Sequence, residues 1–309
     1  MINEWVSDNE TLLQTVMVYY IFGLSIQVVL RAGVFSLASA GMWAIAGYAT
    51  AWMLDRDIAW PLAVAVSLVI VLVVSLLLAI ALGRLSGLYL GMATIAFDLI
   101  IVSLAYTWES VTGGAIGLYG IPRDVTLLHA VLLAVVATVV VGLLQARAGG
   151  RALDALRTDA TLASSVGINV PRARIYCIVL SGVLGGLSGA ISPLIFGVLG
   201  PGDGGFTLVV LGLTIVVIGG SRSWIGAVVG AVIVTFLPEV LTFMDEWSSA
   251  VYGVLIVVMV IFAPQGLTSI VARLVRAATG RTRPRPGDGS QDPHQPEPTG
   301  DPVSVEERS

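Results

Sequence analysis

The chain has 309 residues, 56% hydrophobic and 12% charged, with a mean hydropathy of +0.93; a water-soluble domain carries roughly 25% charged residues, so the composition describes a polytopic membrane protein instead. Its formal charge of −4 says little as a sum, because in a membrane chain the side on which each charge lies is what matters. All 16 basic residues are Arg, which excludes a Walker A loop and Schiff-base chemistry, and His129, His294 and the single Cys177 leave little for a metal centre, a disulfide framework or a Ser-His-Asp triad.

The N-terminal MINEWVSDNE is acidic and lacks the basic region of a secretory signal, so the first apolar segment is expected to be a retained span. Runs long enough to cross about 30 Å of hydrocarbon follow at 12–30, 34–54, 58–82, 88–107, 125–145, 175–199, 224–243 and 250–264. A further segment at 207–220 is apolar but short, bounded by GPGDGG (Gly200 to Gly205) and GGSRS (Gly219 to Ser223). It reads as a short span or a broken, re-entrant element, and counting it gives about nine hydrophobic segments in an all-α membrane domain over 1–272. Trp5, Trp60, Trp108 and Trp247 fall near predicted span ends, as interfacial anchors do. The pairs Gly182 and Gly186, Gly185 and Gly189, and Gly226 and Gly230 predict close helix packing.

With nine crossings, Arg31, Arg84, the five from Arg147 to Arg174, Arg222 and the six from Arg273 to Arg308 fall on one side, and Arg56 and Arg123 on the other, a split of 14 to 2. The richer side is the cytoplasm by the positive-inside rule, so the N-terminus is expected outside and the C-terminus inside. The tail, 273–309, is rich in Pro, Gly and charge and is expected to be disordered in the cytoplasm.

Between the fifth and sixth spans the chain turns polar, over 146–174. Leu153, Leu156, Ala160, Ala163 and Val166 recur at helical spacing, with Arg151, Asp154, Arg157 and Asp159 mostly off that stripe. Gly149 and Gly150 are expected to break from the preceding span, Gly167 to cap the helix end, and Pro171 to follow it. The pattern predicts a short amphipathic helix pair outside the bilayer, whose apolar ridge rests on a partner protein or on lipid.

That segment, GRALDALRTDATLASSVGINVPRAR, resembles the cytoplasmic coupling loop of ABC importer permeases, specifically the branched-chain amino acid permease family. GVFSLASAGMWAIAGYATA (Gly33 to Ala51), GLYLGMATIAF (Gly87 to Phe97), TGGAIGLYGIP (Thr112 to Pro122) and VIGGSRSWIGAVVGAVIV (Val217 to Val234) are similar to further family signatures, in the same order. The resemblance implies an ABC importer permease-like bundle in the plasma membrane of a prokaryote, set in the lipid bilayer. Its partners would be two ATP-binding subunits, a second homologous permease and an extracellular solute-binding protein. It implies no catalytic residue, cofactor or metal on this chain and no nucleic acid; ATP and Mg belong to the ATP-binding subunits. Gly150, Arg151, Leu153, Leu156, Arg157 and Gly167 would couple to the ATPase, and Ser36, Ser39, Thr94, Asp98, Thr112, Gly113 and Gly114 would serve the translocation pathway.

The chain departs from the family pattern at two places. Asp98 stands one position earlier than the family's acidic residue and has no following Arg, and Ile116 stands where the family often has Asn or Asp. A carboxyl in mid-span is costly, which leaves Asp98 as a pathway residue or as a hydrogen-bond partner of a neighbouring helix. Urea or short amides are alternative solutes for members resembling this family. An ion-coupled secondary transporter, with Asp98 as its ion site, is the alternative from a different class. A membrane enzyme lacks the nucleophile, base and metal that it would need.

Overall fold

The computed structural model describes residues 9–241 except Val166 and Arg222, together with Gly253. The expected segment at 250–264, the tail, Arg222, Trp5, Trp247 and His294 lie outside the described residues. In chain order the elements are α1 (Glu10–Arg31), α2 (Ser39–Leu54), α3 (Trp60–Leu82), α4 (Leu88–Thr107), the single turn α5 (Glu109–Thr112), β1 (Leu118–Tyr119), α6 (Leu127–Gln145), α7 (Arg147–Thr158), α8 (Ala160–Ser165), α9 (Val170–Phe196), β2 (Val198–Leu199), α10 (Phe206–Gly219) and α11 (Trp224–Leu241).

Five helices among the described residues, α1, α3, α4, α6 and α9, are long and apolar enough to cross a membrane, or six if the bent pair α10 and α11 is taken as one span. The count of nine is not confirmed among the described residues: α2 has only 16 residues, because 34–37 run without helix before it. The α10–α11 pair is bent by 119° at its Gly-rich turn. The chain is thus an all-α polytopic bundle with a minimal two-stranded ribbon, in which Leu118 pairs with Leu199 and Tyr119 with Val198.

The bundle has an inner and an outer layer. The inner helices α1, α2 and α9 are buried along most of their length, and α9 packs on α1, α2 and α3. Around them α3, α4 and α6 turn Leu62, Val69, Leu77, Leu99, Leu128 and Leu143, all more than half exposed, away from the core. A soluble monomer rarely exposes so wide an apolar surface, and hydrocarbon is the solvent that fits it. The inner face of α3 is a row four residues apart, Ala63, Ser67, Val71, Ser75 and Ala79, one side of a helix built mostly of small residues.

The α9 glycines take up that close approach. A Cβ at Gly182 would stand 2.6 Å from Ser75 Cβ, one at Gly186 2.8 Å from Val71 Cγ1, and one at Gly185 2.7 Å from the Ser39 carbonyl. A Cβ at Gly189 would overlap the Trp43 carbonyl. Gly226 and Gly230 likewise face the backbone of Gly219 and Ile215, so all three spaced pairs have the packing role expected of them. Hydroxyls tie the helices further: Thr50 to Ser67 at 2.7 Å, Tyr20 to Thr138 at 2.6 Å, and Ser188 to the Val18 carbonyl at 2.9 Å.

Candidate functional site

The bundle has two ends, one with the Arg-rich segment and one with the ribbon. At the first, α6 stops at Ala146, whose extended backbone turns the chain into α7. Gly149 and Gly150 therefore do not make the break; they lie inside α7, where a Cβ would run into the Leu144 and Gln145 carbonyls of the preceding turn. A second break at Asp159 separates α7 from α8, giving the expected pair. Gly167, at φ +85°, closes α8 through Gly167 N to Ser164 O and Ile168 N to Ala163 O, both 3.1 Å, the paired bonds of a Schellman end. Pro171 lies in the first turn of α9, whose Asn169 cap accepts from Arg172 N at 3.1 Å, so the polar segment ends at 169 rather than 174.

Of the apolar ridge, Leu153 and Leu156 find their partner within the chain. Leu156 is 6% exposed, Leu153 packs against the core, Gly150 is buried, and Arg151 and Arg157 are exposed. A ring of polar contacts fixes α7 beneath the bundle. Gln27 donates to the Ser221 carbonyl at 3.2 Å and accepts from Gln145 at 3.2 Å; Gln145 accepts from Arg31 at 2.5 Å. Arg31 pairs with Asp154 at 3.6 Å, and Arg157, one turn on, returns to Ser221 Oγ at 3.3 Å. The ring joins α1, α6, α7 and the α10–α11 turn. Gln27 and Gln145 carried no role in the sequence reading, although a Gln within an apolar helix was the available signal.

Gly33 adds a contact to the segment between α1 and α2. It ends α1 in a left-handed turn at φ +70°, and a Cβ there would stand 3.0 Å from Arg157 Cα. The chain then runs through Ser36 to the start of α2, against Gly185 and opposite Asp98, halfway along α4. Ala38, the N-cap of α2, offers no side-chain acceptor; α4 supplies it instead. Thr94 Oγ1 accepts from Leu37 N at 3.0 Å and Asp98 Oδ1 from Gly41 N at 2.8 Å. Asp98 is 2% exposed, and its carboxyl group stands at the N-terminus of α2, in the place of the capping side chain that Ala38 lacks. This is the hydrogen bond to a neighbouring helix that the sequence allowed. Asp98 Oδ2 and Ser39 Oγ are buried without a partner among the described residues.

At the ribbon end, Thr112 folds its loop, with Oγ1 2.7 Å from the Ala105 and Trp108 carbonyls and accepting from Gly114 N at 3.2 Å. Gly113 and Gly114 follow at φ +72° and +61°. Next to the ribbon, the 200–205 loop folds over α2 at Trp43 and Ala44 and leads into the 14 residues of α10. A cavity of about 610 Å³ opens there among α1, α2, α9 and α10, lined by Tyr19, Trp43, Ser192, Asp203, Thr207 and Leu211 among others. None of the seven expected pathway residues lines it. The structure brings Ser39, Thr94 and Asp98 together at the foot of α2 and leaves Thr112, Gly113 and Gly114 in the ribbon loop. Asp203 had read only as part of a Gly-rich boundary, and nothing in GPGDGG marked it as facing a cavity.

Residues 10–262 match the family described as branched-chain amino acid transport system / permease component. Two curated relatives are the high-affinity branched-chain amino acid transport system permease proteins LivM of Salmonella typhimurium and Escherichia coli, 27% and 25% identical, with alignments covering 86% of this chain and 71% of each relative. No solved structure matches the chain significantly.

Proposed function

The chain belongs to the permease-component family of branched-chain amino acid transport systems, and from that membership we propose that it is the membrane subunit of an ATP-driven importer for branched-chain or related amino acids. The observation that carries the reading is the family match over residues 10–262, joined to a polar helix anchored beneath the bundle. Of the two ATP-binding subunits, one would dock on α7 at its exposed Arg151 and Arg157 and the other on the matching segment of the second permease, while Gly150, Leu153 and Leu156 hold α7 to the bundle and Gly167 closes α8 behind it. A second homologous permease completes the pathway, and a solute-binding protein delivers the ligand at the ribbon end. ATP and Mg sit on the partner subunits. The α7 end faces the cytoplasm, with the N-terminus outside.

The geometry suggests how force travels. Closure of the ATPase dimer displaces α7. The Gln27–Gln145–Arg31 ring carries that displacement to α1, α6 and the α10–α11 turn. The Gly33–Arg157 contact carries it to the foot of α2, where Ser36, Ser39, Thr94 and Asp98 form the pivot. Trp43, one turn further along α2, borders the cavity, so a tilt of α2 reshapes it. Thr112, Gly113 and Gly114 hold the ribbon loop above. No described residue selects leucine over its relatives, and a urea or short-amide solute would use the same machinery.

The test is extraction from native membranes in mild detergent, with co-eluting chains identified by mass spectrometry and the complex reconstituted in liposomes. ATP-dependent uptake with an ATP-binding subunit and a second permease present is the expected result. Recovery of the chain alone, moving solute without ATP, would overturn the reading in favour of an ion-coupled carrier.

A further inference from the structure

Resting on the amino-acid reading above, we propose that the cavity below the ribbon is a binding site for a zwitterionic amino acid with an aliphatic side chain, carboxylate on the open N-terminus of α10 and Ser192, ammonium on Asp203.

The N-terminus of α10 is uncapped: Gly205, its N-cap, has no side chain to offer, and Leu208 N and Val209 N both turn back to the Gly205 carbonyl. The N–H groups of Phe206 and Thr207 precede any intrahelical acceptor, and the positive end of the helix dipole favours an anion beside them. Ser192 is the independent sign of a ligand. It is 3% exposed, lines the same cavity, and its hydroxyl makes no hydrogen bond with a described residue. That hydroxyl opens onto the cavity, where a bound carboxylate would accept its hydrogen bond.

Asp203 supplies the opposite charge. Its Oδ2 is used within the loop, accepting from Gly200 N at 2.7 Å, so it does not cap α10, and the exposed side chain faces the cavity. Val18, Trp43, Leu208 and Leu211 form the apolar wall for the side chain. The volume, about 610 Å³, falls within the range of small-molecule sites, roughly 300–1,000 Å³. An amino acid would share it with ordered water.

The experiment labels a cysteine at the cavity rim, Val198→Cys in a Cys177→Ser background, with a small thiol reagent, in the full-length chain within its complex. L-leucine is expected to slow labelling, while 4-methylpentanoate and isoamylamine, each with one charged end, protect far less at equal concentration. Asp203→Asn keeps an acceptor for Gly200 N, so labelling without ligand is unchanged, but the half-protecting concentration of leucine rises about tenfold or more, as loss of a charged hydrogen bond predicts. Ser192→Ala raises it for leucine and 4-methylpentanoate and not for isoamylamine. Equal protection by leucine in wild type and Asp203→Asn overturns the site, as does absence of protection in a complex that takes up leucine with ATP. Protection by leucine in a complex without ATP-driven uptake leaves the site standing and removes the importer reading.

Discussion

Asp98 illustrates how one residue can satisfy another helix. A carboxyl in mid-span invited a pathway role, yet its Oδ1 completes the first turn of α2. Asp98→Ala leaves the Gly41 N–H unpaired in a buried place, a loss of about 1–3 kcal/mol, and the detergent-solubilised protein should melt at lower temperature. Asp98→Asn keeps an oxygen at that position and should melt near wild type with uptake retained. If Asn proves as damaging as Ala, the charge rather than the hydrogen bond is what matters. Thr94→Val should likewise destabilise while Thr94→Ser does not, because Thr94 also donates to the Gly91 carbonyl at 2.9 Å. Sequence alone marked Asp98 and Thr94 but not their partner. Leu37 and Gly41 are 57 positions away, and no local pattern records a cap supplied from that distance.

Among the elements, α9 tolerates least change. Gly189→Ala should abolish recovery of folded protein, since the added methyl overlaps the Trp43 backbone and neither helix can retreat. Gly142→Ala in α6, where nothing lies within 4 Å, should leave yield unchanged, and fluorescence-detected size-exclusion chromatography separates the two outcomes. The polar ring makes a different forecast. Gln27→Leu keeps bulk but disconnects Ser221 from Gln145, so ATP hydrolysis by the assembled complex should continue while uptake falls, read as a lower ratio of solute moved to phosphate released. Helices such as α4 and α6 were legible within a residue or two, because continuous apolar runs bounded by Gly, Pro or Thr leave little alternative. The start of α2 was not. Val34 to Ala38 is as apolar as the helix after it, so hydropathy cannot distinguish an extended entry from a helical one. The Asp203 cavity was hidden for a related reason, since a Gly-rich loop reads as punctuation until it is seen to fold against α2.

For the whole molecule, the distribution of Arg predicts sidedness. In a Cys177→Ser background, Ile116→Cys in the exposed ribbon loop should react with a membrane-impermeant thiol reagent in intact cells, and Thr158→Cys at the end of α7 only after permeabilisation. The reverse pattern would reject the orientation. Both positions are exposed, so accessibility rather than burial decides the result.

The remote capping of α2 also bears on how the chain is made. As it leaves the ribosome, α2 emerges with the Gly41 N–H of its first turn and the Leu37 N–H just before it unmet, in surroundings where hydrocarbon offers no acceptor and each unmet group costs several kcal/mol. Relief arrives only when Thr94 and Asp98 have been synthesised. The second helix therefore cannot settle into lipid by itself, and α1 through α4 must be released from the insertion machinery as a single batch. Ribosome-arrested chains ending before α4 should remain crosslinked to that machinery through α2, and chains that include α4 should be free of it.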